Sequence, residues 1–277
     1  MRVDIIQRKG SSHQTTSRII ENMKDARIIT GREERARRTE ILFRFGNRRP
    51  VRGNYVINTI HMIMTTNNKP LTRRLLRDAD VSIPRTFFSK DEILRNRVAP
   101  FPLIGQPTYH HGGSGIVISR NINDLRRDMT STHWAEIIRK DREWRVYVFF
   151  GRVIGVEEKV PTHPQEVAWN HALGNSTFHA LKWNEYPLQV CLLAIQAANA
   201  IGIDFSAVDI ISERDRHYVL ELNTSPSCSA PRCRCIARAL NWVRYYIQEN
   251  DRKPEYLTVP SRVRSYKDII HPCMKVE

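Results

Sequence analysis

Residues Phe205–Pro226 read FSAVDIISERDRHYVLELNTSP. The run Val208-Asp209-Ile210-Ile211 precedes a charged tetrad, Glu213, Arg214, Asp215 and Arg216, and a second run spans His217 to Asn223. In that second run apolar and polar positions alternate at period two, the mark of a half-buried strand. The stretch is a hairpin, and a turn centred near Asp215 sets Asp209 opposite Glu221, with Asn223 on the same face. Carboxylates directly across a strand pair repel each other. A cation offsets that repulsion, and three oxygen-bearing side chains suit Mg²⁺, which keeps several waters and completes its shell on substrate phosphates. The same residues also read as a solvated hairpin face with an incidental Asp and Glu.

The wording of the stretch goes further. GIDFSAVDII (Gly202–Ile211) followed by LELNTSP (Leu220–Pro226) resembles the end of an ATP-grasp domain, where an Asp and a Glu-x-Asn pair hold the magnesium ions of ATP. The resemblance implies an α/β chain with the ATP-grasp fold, a small α/β domain preceding it, and ATP held between two lobes. It implies Asp209, Glu221 and Asn223 as metal ligands and puts Leu220 in the ATP-binding set.

Other motifs follow in the family's order. In Asn67–Phe88, NNKPLTRRLLRDADVSIPRTFF, Pro70 sits where a helix begins, because its missing N–H has no helical partner there anyway. Leu71, Leu75 and Leu76 are expected on one face. The family has a similar phrase, in which the helix-opening lysine, here Lys69, reaches the ATP phosphates. Read by itself, Lys69 is a solvated helix-start lysine. Phe101–Ser119, FPLIGQPTYHHGGSGIVIS, is a strand, a glycine-rich loop and a strand. Gly112, Gly113, Ser114 and Gly115 let backbone N–H groups approach a phosphate, although a plain hairpin turn has the same composition. In ATP-grasp proteins this position carries a lid. The strand before the lid ordinarily carries a Lys or Arg. This chain has Gln106, a neutral amide, so either ATP affinity is weakened or His110, His111 or a nearby arginine compensates.

His133–Val160, HWAEIIRKDREWRVYVFFGRVIGVEEKV, contains a hairpin turning at Gly151. AEII resembles the hinge between the ATP-grasp lobes and implies that Glu136 and Ile138 flank the adenine. Glu143 and Arg145 match a family E-x-R motif whose arginine faces the transferred phosphate, and Lys159 matches a second basic residue there. Without the match, these are solvent-facing charges on an alternating strand. His163–His179 is an irregular loop of the length that carries function. The family places a substrate-facing Asn here, which makes Asn170 and Asn175 candidates.

Bulk composition is consistent with an enzyme of this kind. The chain has 277 residues, long enough for a sizeable core, with 41% apolar and 26% charged residues. No run approaches the ~18 apolar residues of a membrane span. MRVDIIQRKG has no apolar region of the signal-peptide kind, and with an odd count of five cysteines a reduced cytoplasm is expected. Cys228, Cys233 and Cys235 form C-x4-C-x-C, three thiols without a fourth ligand at finger-like spacing, and they enter a helical pattern. Net charge is +15, from 44 Lys and Arg against 29 Asp and Glu. That excess fits an anionic nucleotide and an acidic substrate, and it also fits nucleic acid.

The expected organisation is an N-terminal α/β domain over 1–65, an ATP-grasp N-terminal lobe over 66–134, a C-terminal lobe with the metal site over 135–250, and a tail over 251–277 packed on the surface or partly disordered. The resemblance, closest to ribosomal-protein glutamate ligases and their phage relatives, implies ATP- and Mg²⁺-dependent carboxylate–amine ligation through an acyl phosphate. Its substrates would be small-molecule, peptide or protein carboxylates and amines, with no membrane partner. A basic nucleic-acid-binding protein on a degenerate ATP-grasp scaffold is the alternative.

Overall fold

A computed structural model describes residues 1–7, 13–29, 39–95, 100–109, 115–162, 176–257 and 266–274. The chain opens with β1 (Val3–Gln7), α1 (His13–Glu21), β2 (Ala26–Ile28), β3 (Thr39–Phe45) and β4 (Gly53–Ile57). These strands form a wholly parallel sheet in the order β2-β1-β3-β4. Strand β1 is buried over Val3–Ile6 because it is central to the sheet, and parallel strands covered on both faces read as unbroken apolar runs.

Next come α2 (Ile60–Asn67), α3 (Lys69–Asp78), β5 (Thr86–Phe87), α4 (Lys90–Arg95), β6 (Leu103–Gln106), β7 (Val117–Ser119), α5 (Ile122–Arg127) and β8 (His133–Glu136). Their strands make an antiparallel sheet, β5-β8-β6-β7, over a small core of Phe87, Ile93, Leu103, Leu125 and Trp134. The remaining elements are β9 (Arg142–Phe149), β10 (Arg152–Pro161), β11 (Ser176–Ala180), α6 (Leu188–Ile201), β12 (Phe205–Glu213), β13 (Arg216–Asn223) and α7 (Ala230–Asn250). They build the third sheet, antiparallel throughout, in the order β11-β10-β9-β12-β13.

Side chains alternate across a strand, so this third sheet has two different faces. Trp144, Val146, Val148, Val208, Ile210, Val219 and Leu222 point to one face and pack on α6. On the other face, Tyr147, Phe149, Phe205 and Ala207 join Phe43 and Phe45 of β3 and the Ile236, Leu240, Val243 and Ile247 stripe of α7 in a second core. Phe205 is edge-on to Phe43 at 5.4 Å. Burying one such ring stabilises the fold by roughly 1.5–3 kcal/mol. This core ties the first sheet to the third and leaves the far end of the same face to charged side chains.

The packing departs from expectation in α3 and in the C-terminal segment. Leu71 is 40% exposed, and α3 instead buries Thr72, Arg73 and Leu76, because its inner side faces β13 as well as α6. Leu188 and Leu192 of α6 are only partly buried, since the helix presents Val190, Cys191, Ala194, Ala197 and Ala198 inward. Arg244 lies inside, with Nη1 donating to the Lys24 carbonyl at 2.6 Å. The C-terminal segment is built into the fold. Buried Asp204 accepts hydrogen bonds from the Asn58 N–H (2.8 Å), Tyr256 Oη (2.6 Å) and Lys253 Nζ (3.2 Å). His271 and Ile269 are fully buried against Val153.

Candidate active site

The β12–β13 hairpin turns at Arg214 and Asp215, with Arg214 in the left-handed region, and pairs Glu213 with Arg216. Asp209 lies directly opposite Glu221, as the alternation demands. Immediately after that pair the register shifts, and Leu220 is left as the extra residue of a bulge. Bulges commonly re-aim side chains beside functional sites.

Two cations and an amide offset the carboxylate repulsion. Arg145, opposite Asp209 on β9, grips it with both oxygens engaged, Nε to Oδ1 at 2.7 Å and Nη2 to Oδ2 at 2.8 Å. Lys69, the first residue of α3, reaches across to Glu221 Oε2 at 2.8 Å. Asn68 caps that helix by accepting from the Leu71 N–H, and the Lys69 N–H donates to the Thr108 carbonyl, which fixes the lysine next to the end of β6. Asn223 Nδ2 donates to Asp209 Oδ2 at 3.1 Å and to Glu221 Oε1 at 3.0 Å.

The two acids titrate apart. Burial raises the Asp209 carboxyl, with Arg145 offsetting only part of the effect. Burial also pushes Glu221 upward, but Lys69, the Asn223 hydrogen bond and Arg145 together hold it well below the usual carboxylate range.

A second charged group lies one register step away on the same face. Glu143 is 4% exposed and accepts from Lys140 Nζ at 2.5 Å and Lys159 Nζ at 2.6 Å. Glu143 is paired with Lys159, and Arg145 with Glu157, across β9 and β10. The Arg145 guanidinium also covers the Phe178 ring at 4.4 Å. Burial lowers the Lys140 ammonium, against the Glu143 charge that raises it.

The donor set suits a hard cation. Each carboxylate offers about four lone-pair positions. The five hydrogen bonds from Arg145, Asn223 and Lys69 leave about three of those eight positions open. No described residue donates to Asn223 Oδ1. No group of three His, Cys, Asp or Glu is assembled among the described residues, and the oxygen donors gathered here are two carboxylates and one amide. Such a set leaves room for water and phosphate, as Mg²⁺ requires.

Residues 66–233, which include all of these side chains, match the model of the RimK-like ATP-grasp domain. The chain belongs to the RimK-like ATP-grasp family. Membership places it among the ATP-grasp ligases. It is 24% identical over 199 residues to the coenzyme gamma-F420-2:alpha-L-glutamate ligase of Methanocaldococcus jannaschii, covering 66% of this chain and 67% of that protein. It is 23% identical over 189 residues to a probable alpha-L-glutamate ligase of Haemophilus influenzae, covering 63% of this chain and 60% of that one. The chain thus spans about 60–67% of the length of these two relatives. Among solved structures, the ATP-grasp ligase PsnB complexed with a minimal precursor superposes with a TM-score of 0.64 at 15% identity, over 87% of this chain and 98% of that one. D-alanine–D-alanine ligase from Bacillus anthracis gives 0.66 at 14% identity, over 91% and 100%. At these identities the likeness is one of fold.

The other ATP-grasp positions are distributed as follows. Gln106 ends β6, half-buried, with its carbonyl accepting from the Thr132 N–H. Glu136 ends β8, and its carboxylate accepts from the Arg85 N–H at 3.0 Å, so the side chain fastens β5. Ile138 is half-buried in the β8–β9 connection, with its carbonyl bonded to the Lys140 N–H. Gly115 is exposed at φ +73°, beside Pro107. Gly112, Gly113, Ser114, Asn170 and Asn175 lie outside the described residues, as do His110 and His111. Three charged residues at the site carried no assigned role in the sequence. Lys140 sits in the run RKDRE, which has no period. Glu143 was legible only as part of E-x-R. Arg73 lies one turn after Lys69, buried, donating to the Val219 carbonyl at 3.4 Å, and burial brings it down to about 10. The i, i+4 spacing from Lys69 was the one available signal for Arg73.

The cysteines have a local explanation. Cys228 and Cys233 occupy the positions before the N-cap and at the fourth residue of α7, where a hydrophobic staple fixes chain entry. All five cysteines are free thiols. No helix among the described residues is long and apolar enough to cross a membrane.

Proposed function

We propose that the chain is an ATP- and Mg²⁺-dependent carboxylate–amine ligase working through an acyl phosphate. The observation that carries this reading is the Asp209–Glu221 pair, joined by Asn223 and held between Arg145 and Lys69. Asp209, Glu221 and the Asn223 amide oxygen would hold one or two Mg²⁺. The ion would supply charge neutralisation at the phosphates. In the first step a substrate carboxylate oxygen attacks the γ-phosphorus of ATP, and ADP leaves. In the second, an amine attacks the acyl carbon, phosphate leaves, and the nitrogen loses a proton to give the amide.

Such chemistry needs fixed charge around a moving phosphoryl group more than a strong base. Arg145 and Lys159 face that group, Lys69 steadies the phosphates, and Glu136, Ile138 and Leu220 border the base. Gln106 is the neutral member of the set, and Lys69, joined to the following segment through Thr108, brings a positive charge to that side. The Gly112–Gly115 segment would close over the phosphates to exclude water, which hydrolyses acyl phosphates. Asn170 and Asn175 are proposed for the substrate side. The curated relatives are named alpha-L-glutamate ligases, so glutamate heads the panel of amines.

Calorimetry of Mg-ATP binding by wild type, Asp209→Ala and Glu221→Ala tests the site, followed by ADP release with carboxylate and amine panels. Wild type should bind and both variants should lose affinity at least tenfold. Normal binding by both variants would remove the metal assignment.

A further inference from the structure

Glu143 is a buried carboxylate that the chemistry above does not use. Its two oxygens are divided between two lysines, Lys140 at 2.5 Å and Lys159 at 2.6 Å, with side chains 6% and 12% exposed. The two lysines come from different places. Lys159 projects from β10 opposite Glu143, and Lys140 comes from the connection between β8 and β9. Around Lys159 on that face stand Glu143 and Arg145 of β9, Asp209 beyond them on β12, Glu157 one step along β10, and Phe178 opposite on β11. Arg145 is committed to Asp209 and Glu157 to Tyr147, Ser229 and Arg232, which leaves Glu143 as the bridging acid between Lys140 and Lys159.

Two like charges brought together in a desolvated place disfavour each other's protonation. A carboxylate shared between them offsets part of that penalty and also holds their long side chains in one geometry. We propose that Glu143 is a positioning residue that keeps Lys159 and Lys140 charged and fixed beside Arg145. Its consequence for catalysis rests on the ligase reading, in which Lys159 meets the transferred phosphoryl group. Glu143 touches neither ATP nor substrate and acts through the lysines. A purely structural acid would be replaceable by an isosteric amide at a cost in stability alone.

The test is the lysine titration of ligand-free protein, followed by NMR of ¹⁵N-lysine samples and assigned with Lys140→Met and Lys159→Met. In Glu143→Gln both ammonium midpoints should fall below wild type by about one pH unit or more. Glu143→Asp should restore much of the difference. In Lys140→Met/Glu143→Gln one of the two like charges is gone, so Lys159 should titrate between wild type and the single variant. That double variant also keeps the charge balance and carries the comparison with wild type if Glu143→Gln does not fold. Mg-ATP affinity of Glu143→Gln should then fall tenfold per pH unit above the lowered Lys159 midpoint, while wild type holds its affinity to higher pH. Titration of both lysines in Glu143→Gln as in wild type would overturn the proposal. A wild type that binds no Mg-ATP would sink the ligase reading instead, and the ligand-free titration would still decide the role of Glu143.

Discussion

Replacing Arg145 with Met tests the electrostatics of the site without any ligand. The guanidinium donates two charged hydrogen bonds, at 2.7 and 2.8 Å, to a carboxylate whose side chain is 9% exposed. Without it Asp209 retains the Asn223 amide alone and still faces Glu221 across the hairpin. Removing one partner of a buried pair costs about 3–5 kcal/mol. At about 2–4 °C per kcal/mol for a chain of this size, melting should fall by roughly 6–20 °C. The cost should shrink in Arg145→Met/Asp209→Asn, because the stranded charge is gone. That double variant should melt above Arg145→Met by at least about 2 °C, equivalent to about 1 kcal/mol. The pH dependence has a definite sign. Burial already raises the Asp209 carboxyl, and loss of Arg145 raises it further. A carboxyl raised in the fold favours the folded state while protonated, and that contribution is lost as pH rises through the folded value. Arg145→Met should therefore lose more stability than wild type as pH rises above the ordinary carboxylate range. Scanning calorimetry of wild type, both single variants and the double at pH 6 and 8 gives all of these numbers. Strictly additive losses in the double variant would refute the reasoning.

Other consequences follow from buried groups farther from the site. His271 is fully buried and its imidazole is pushed down to about 3, first by desolvation and then by Arg152. The unfolded chain takes up that proton below about pH 6.5. Its contribution is complete above that value and lost as pH falls toward the folded one, costing roughly 2 kcal/mol at pH 5. Urea midpoints should accordingly drop less between pH 7.5 and 5 in His271→Gln than in wild type. Asp204→Ala strips acceptors from Asn58, Tyr256 and Lys253, and hydrogen exchange at the Leu257 amide, bonded to the Phe150 carbonyl, should accelerate. Unchanged exchange would mean that the strap is held elsewhere. Gly151 and Gly202 share φ +68°, but a Cβ on Gly151 would lie 2.8 Å from the Leu257 nitrogen, and one on Gly202 meets nothing within 4 Å. Gly202→Ala should cost about 1–2 kcal/mol for the left-handed backbone alone, and Gly151→Ala clearly more.

The hairpin was legible because both of its signals are local. Period-two alternation places Asp209 and Glu221 on one face, and a short charged turn fixes the register that sets them opposite each other. What holds the pair was not legible in the same way. Arg145 lies 64 residues before Asp209, and Lys69 lies 152 residues before Glu221 on a helix of another layer. Only the family motifs linked them, since spacing carries no information across such distances. Lys140 and Arg73 belong to no motif. Their burial follows from a sheet face that collects cations, which is a tertiary property. Leu71 failed in the opposite direction. It is apolar at helical spacing, yet α3 turns Thr72, Arg73 and Leu76 inward, so side-chain polarity alone misassigned its face.

The same effect bears on the basic composition. A surplus of 15 positive charges favours a nucleic-acid surface only insofar as the arginines lie on the surface. Several do not. Arg44, Arg73, Arg232 and Arg244 are buried, and each donates to main-chain carbonyls: Arg44 to Arg49 and Val51, Arg73 to Val219, Arg232 to Val156 and Leu181, and Arg244 to Lys24. The planar guanidinium with five donors suits this use, whereas a lysine could not satisfy two diverging carbonyls in a fixed plane. Two arginine-rich runs of the sequence, Arg73–Arg77 and Arg232–Arg238, are thereby partly consumed. Arg73–Arg77 sends one arginine inward and sets Arg74 and Arg77 over the Phe88 ring. Arg232–Arg238 ties α7 to β10 through its first member. The charge that remains near the site, on Lys69, Lys140, Arg145 and Lys159, is paired with carboxylates and lies mostly out of solvent. Charge already paired with carboxylates is not available to a long phosphate backbone, so nucleic-acid affinity should be weak in a binding titration.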